Sequence, residues 1–158
     1  MAKSFSNWGQ LEKYLNEVIS FTLQDEVANE VVEVMTEDDG VIDKEVYDKY
    51  TPYNLAGTNY HYHRTYKLKD KSNFEKLMLD KNTLSIRSTR NEDGRDITSV
   101  IEYGKGYTWG KASGYTRDLD KEIGARPFHE KTKEELLRSG RHIESLKKGL
   151  IKRGLEVL

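Results

Sequence analysis

The sequence predicts an α+β domain: a long N-terminal helix, an antiparallel β-sheet of three or more strands, and a C-terminal helix packed on the sheet. Three observations carry this. A stripe of apolar residues at steps of three and four opens the chain, alternating runs separated by polar turns fill its middle, and a second helical stripe bounded by proline and glycine closes it. With 158 residues the chain suits a single domain over 1–158, and its 35% apolar and 34% charged content describes a thin core under a heavily charged surface.

The first helix begins at Trp8 and carries Leu11, Leu15, Val18, Ile19, Leu23, Val27, Val31 and Val34 on one face. Asn7 is its expected cap, with Gln10 three residues on, and Gly40 after Glu37-Asp38-Asp39 marks where it must have stopped. At about 1.5 Å per residue it runs on the order of 40 Å, more than a small domain needs. Residues 48–72 hold five tyrosines, Pro52, Gly57, His61 and His63 with no sustained period, and predict a long mobile loop. Its tyrosines, Tyr53, Tyr60 and Tyr62 among them, suit contacts with a partner.

Leu77-Met78-Leu79, the turn Asp80-Lys81-Asn82, and the alternating Leu84, Ile86 and Ser88 predict a hairpin. Ile97, Ser99, Ile101 and Tyr103 alternate with Thr98, Val100 and Glu102 after the turn-like Asn91-Glu92-Asp93-Gly94, which predicts a third strand. A second loop is expected over 107–124. The final helix is expected to start near Pro127, with Thr132 and Glu135 at capping-box spacing, and to bury Leu136, Ile143, Leu146 and Leu150. Gly140 and Gly149 weaken it by roughly 1 kcal/mol each relative to alanine, so packing must hold it, and Gly154 ends it.

Charge is arranged by position. Residues 1–40 carry nine acids and two bases, a balance of −7, whereas 131–153 carry eight bases and three acids, a balance of +5. The two ends should attract each other, within one chain or between neighbours.

The composition narrows the chemistry. There is no cysteine, hence no disulfide, thiolate metal site or cysteine nucleophile. Met1 to Trp8 lack an apolar signal core, and no apolar run approaches the roughly 18 residues of a membrane span, so a soluble, leaderless chain is expected. His61 and His63 share one side of an extended segment, but neither a His-Glu-x-x-His pair nor further converging ligands accompany them. Gly104-Lys105-Gly106-Tyr107 fits neither the dinucleotide nor the Walker spacing, and no nucleophile elbow occurs. Neither an enzyme nor a cofactor or metal is expected. The basic final helix, with Arg138, Arg141, Lys147, Lys148, Lys152 and Arg153, offers the alternative of nucleic-acid binding, against which stand the acidic first helix and a pI near 6.4.

Val100-Ile101-Glu102-Tyr103-Gly104-Lys105-Gly106-Tyr107, then Gly124-Ala125-Arg126-Pro127-Phe128, then the basic helix ending Leu146-Lys147-Lys148-Gly149-Leu150-Ile151-Lys152-Arg153-Gly154 resemble the siphophage tail-completion and head-tail joining family. Asp43 to Tyr53 resembles that family's segment between first helix and sheet. The agreement in order covers roughly residues 10–154. His129 and the Asn59 to Arg64 stretch depart from the pattern.

The resemblance implies a non-enzymatic virion protein of the neck or upper tail, assembled in the host cytoplasm or carried on a prophage. Its partners would be phage connector or tail proteins and further copies of itself in a ring, with no membrane and no direct nucleic-acid contact. The expected assembly contacts are Tyr53, Tyr60, Tyr62, Lys147, Lys148, Lys152 and Arg153, and the expected structural anchors are Arg126, Pro127 and Phe128. Connector stopper, tail terminator and tail-completion factor remain open as stations, and a metal-dependent hydrolase using His61 and His63 stands as a further rival.

Overall fold

The structure, a computed structural model, describes residues 4–49, 64–107, 121 and 123–157. Tyr53, Tyr60, Tyr62, His61 and His63 lie outside them, as do most of the segments expected as loops at 48–72 and 107–124.

The N-terminal helix runs as α1 (Trp8–Thr22), a π-helical turn (Leu23–Val27) and α2 (Ala28–Thr36) without interruption. Asn7 caps it, its Oδ1 accepting from the Gln10 amide at 3.0 Å, while the Gln10 side chain accepts from the Ser6 amide and hydroxyl. The wide turn moves the buried face. Val18 and Thr22 are buried before it, Val27, Ala28, Val32, Val34 and Met35 from its end onward, so Thr22 is followed by a step of five. Leu11, Leu15, Ile19, Leu23 and Val31, read from the sequence as one regular stripe, are consequently only half-buried.

The chain turns at Gly40 and sends Val41, Ile42 and Val46 into a core completed by Leu68, Phe74, Ile101 and Phe128. Leu68 sits in a 3-10 turn, so the described end of the 48–72 segment, from Arg64, reaches the core. The hairpin forms as β1 (Phe74–Met78) and β2 (Leu84–Ser88), with Lys76 opposite Ile86. A second, two-residue ribbon follows, β3 (Asn91–Glu92) and β4 (Arg95–Asp96), turning through Asp93 and Gly94, both at positive φ.

The third expected strand is a helix, α3 (Ile97–Tyr103). Asp96 explains it. Its carboxylate accepts from the Ser99 amide at 3.0 Å and from the Ser99 hydroxyl at 2.6 Å, capping a helix whose buried residues, Thr98 and Ile101, are three apart. Alternation of Ile97, Ser99, Ile101 and Tyr103 also places Ile97 and Ile101 one helical turn apart, so the pattern fitted both states. Among the described residues the main sheet therefore has two strands, not three or more, and the fold is mixed helix and sheet.

The single final helix expected after Pro127 is two: α4 (Phe128–Ser139) and α5 (Arg141–Lys152), separated by Gly140 at φ 67. Thr132 does not cap α4; it is buried within it and donates its hydroxyl to the Phe128 carbonyl at 2.7 Å. Glu135, the other half of the expected box, pairs with Arg138 on the surface. Gly154 ends α5 in a Schellman motif, with the Leu155 amide on the Leu150 carbonyl at 3.0 Å and the Gly154 amide on that of Ile151 at 2.9 Å. Both helices make their main contacts with the N-terminal helix, α4 with α2 and α5 with the π turn, and not with the sheet.

Phe128 is fully buried in the core at the first position of α4. Phe128→Ala should cost about 3 to 5 kcal/mol, seen as a lowered chemical denaturation midpoint with the slope preserved. An unchanged midpoint would mean that the core closes without this ring.

Candidate assembly surface

The acidic N-terminal helix and the turn that follows it pair with two basic rows of their own chain, one on α5 and one between Lys69 and Lys76. Along one side, Arg141 reaches Glu30 at 2.6 Å and Glu37 at 2.5 Å, Arg153 reaches Glu26 at 2.6 Å and Asp25 at 3.3 Å, and Lys152 approaches Glu26 at 3.4 Å. Along the other, Lys69 pairs with Asp43 at 2.6 Å and Asp38 at 3.2 Å, Lys71 pairs with Glu33, and Lys76 donates to Asn29 at 2.5 Å. The partners rise in one sequence as they fall in the other, Tyr14 and Glu26 meeting Arg153 while Glu37 meets Arg141, so α5 lies antiparallel to the first helix.

Small residues make this approach possible. A Cβ on Gly149 would fall 2.5 Å from Thr22 Cγ2, and Gly149 is the buried residue of α5. Beside it, Ser145 donates to the Glu26 carbonyl at 3.0 Å, taking up a backbone acceptor of the π turn. The glycine that weakens α5 as a helix is thus what lets it dock.

The apolar stripe expected to hold the final helix does not do so. Ile143 is 49% exposed, Leu146 and Leu150 are half-buried, and the line that faces the first helix is Arg141, Ser145, Gly149 and Arg153. The outward face, at i, i+4 and i+8, is Ile143, Lys147 and Ile151, with Lys148 beside it; Ile151 is 57% exposed. Lys147 approaches Glu144 of its own helix at 4.0 Å. The four expected basic contacts therefore divide: Lys147 and Lys148 face outward, whereas Lys152 and Arg153 pair with acids of the same chain. Those pairs show Lys152 and Arg153 engaged within a single chain, with the Lys152 side chain still 74% exposed. They also weaken the nucleic-acid alternative, since Arg138 and Arg141 are likewise paired internally.

The motifs that carry the resemblance meet in space. Arg126, buried, donates from Nη1 to the Val46 carbonyl at 3.2 Å and from Nη2 to the Tyr107 hydroxyl at 2.7 Å, and its amide bonds the Ile101 carbonyl at 2.9 Å. Pro127 directs the chain into α4, with Phe128 beneath. His129, the departure from the family pattern, bonds Glu102 through its amide and at 3.0 Å through Nδ1. Sequence reading placed Trp8 and Leu79 in the first helix and the hairpin without their exposure, and it missed the exposed Phe21 and the basic row from Lys69 to Lys76, which has no periodic signature. Among the described residues no three His, Asp or Glu side chains cluster as metal ligands, and no helix is long and apolar enough to cross a membrane.

Ionisation follows the clamp. The hydrogen bond from Arg141 holds the Glu37 carboxyl below its ordinary value of 4.5 against burial, and at Glu26 burial opposes ionisation but the hydrogen bonds from Arg153 and Lys152, with the Arg153 charge, outweigh it. A depressed carboxyl stabilises the fold above its unfolded pKa and loses that contribution as pH falls through the folded value. The melting temperature should accordingly drop as pH falls below about 4.5, and less steeply in a Glu26→Gln/Glu37→Gln chain. Parallel pH profiles for the two proteins would show that these carboxylates do not couple to folding. Gly149→Val should lower the melting temperature by several degrees, because the branched side chain meets Thr22 and Glu26.

The SPbeta prophage-derived uncharacterized protein YomN of Bacillus subtilis (strain 168) is 39% identical to this chain over 77 residues, 49% of this chain and 51% of its own. The match thus spans about half the length of that curated relative. No solved structure matches the chain. The YomN family model matches residues 7–152, from the Asn7 cap to the last residue of α5, and the chain therefore belongs to the phage-related YomN family.

Proposed function

We propose that the chain is a non-enzymatic bacteriophage virion assembly protein of the head-tail joint or upper tail, working as a tail-completion, terminator or neck component. The observation that carries the reading is kinship with a prophage-derived protein, joined to the motif resemblance over Val100 to Tyr107 and Gly124 to Phe128. The outward face of α5 supports it. Ile143 and Ile151 flank Lys147 with Lys148 alongside, a small apolar surface rimmed by cations of the kind that docks on a partner with apolar and acidic groups. Connector and tail proteins are the proposed partners, and copies gathered on their symmetric surfaces would form a ring in the virion while the isolated chain stays monomeric.

Electron microscopy of particles made without the protein tests the station: heads and tails accumulating separately are expected, and joined, infectious particles would contradict it. The surface is tested separately. Ile143→Glu/Ile151→Glu should keep its circular dichroism and melting temperature yet be missing from purified particles, and normal incorporation of that folded variant would remove α5 from the contact.

A further inference from the structure

Helix α5 is attached to the rest of the fold by charge and close backbone approach more than by apolar burial. Its docking line is Arg141, Ser145, Gly149 and Arg153, and two of its isoleucines point away from the first helix. Lifting it off breaks partly shielded ion pairs and uncovers Gly149, the buried residue of α5. Its connection to α4 is one residue, Gly140, in the left-handed region at φ 67 with open space around the position a Cβ would take. A change of backbone angles at that residue redirects the whole helix.

We propose that α5 exchanges between two copies of this chain, swinging about Gly140 to dock on the first helix of its neighbour. The occupant is defined by complementarity already on display: Arg141 fits Glu30 and Glu37, Arg153 fits Asp25 and Glu26, and Gly149 fits Thr22. Every contact made within one chain is re-formed between two, so exchange sacrifices none of them and is opposed mainly by the entropy of association, which falls as copies are concentrated. It needs only a second copy and holds whatever the protein's place in a particle.

The chain has no cysteine, so an introduced disulfide reports directly. Thr22→Cys and Gly149→Cys are made as two separate variants. The 2.5 Å between a Cβ at 149 and Thr22 Cγ2 is near the roughly 3 Å that separates Cβ of one half-cystine from Sγ of the other, so the bond forms where α5 lies on α1. Mixed and gently oxidised, the two variants should give a species of twice the chain mass on a non-reducing gel, joined through 22 and 149 by peptide mass spectrometry, in a yield that rises with concentration. Thr22 is fully buried, so either variant alone should give far less. A mixture that yields no more dimer than the separate variants overturns the proposal. Should Gly149→Cys fail to fold, Gly140→Ala carries the test with the remaining sequence intact. Alanine resists φ 67 and favours α4 running straight into α5, which pulls α5 off its own chain, so sedimentation should show a dimer. A Gly140→Ala chain that sediments as a monomer at the same concentration overturns the proposal equally.

Discussion

Helix α5 lies antiparallel across the π turn of the first helix, with Gly149 against Thr22, and the arrangement of the rest follows from that contact. The wide turn shifts the buried face by one residue. Thr22, before it, lies buried against Gly149 of α5, and Val32, Val34 and Met35, after it, join the core with Ile42 and Phe128, while Glu30 and Glu37 still reach α5 through Arg141. Without the shift, one continuous helix could not present Thr22 to the C-terminal helix and Val27, Ala28 and Val32 to the interior. Two polar contacts cross it, Ser145 donating to the Glu26 carbonyl and Tyr14 to that of Arg153.

Charge reinforces the contact from both sides. Six acids between Glu12 and Glu33 would strain an isolated helix by mutual repulsion, and the fold answers with Arg141, Lys152 and Arg153 from α5 and with Lys71, while Lys69 takes up Asp38 and Asp43 in the turn that follows. Each exposed pair is weak, but a row of partly shielded pairs fixes register and direction. Because the helix is held by its charged and small edge, the apolar groups Ile143 and Ile151 are left at the surface, where the proposed assembly contact lies.

Much of the fold was legible from residues. The first helix, its Asn7 cap, the hairpin from Phe74 to Ser88 and the end at Gly154 all have local signals, a period or a cap that acts over one turn. Alternation misled at Ile97 to Tyr103, where the Asp96 cap decided the state, and the Thr132-x-x-Glu135 spacing misled because Pro127 had already begun the helix. The apolar positions after Pro127 gave the helical state but neither the break at Gly140 nor the buried face of α5. Periodicity orders residues around a helix and does not say which sector meets a neighbour, and here close approach at Gly149 and the acids at Asp25 to Glu37 outweighed the isoleucines. The −7 and +5 balances foretold attraction between the ends, but a sum of charge does not tell one chain from two; that needed the distances.

In a dilute single copy, opposite charges at the two ends of the chain clamp the C-terminal helix to the N-terminal one. A charge-swap cycle measures it: thermal stability of Glu37→Arg, Arg141→Glu and the double exchange, at low protein concentration and low salt. Each single variant should melt below the parent, and the double variant should recover most of the loss. Losses that simply add in the double variant would contradict it.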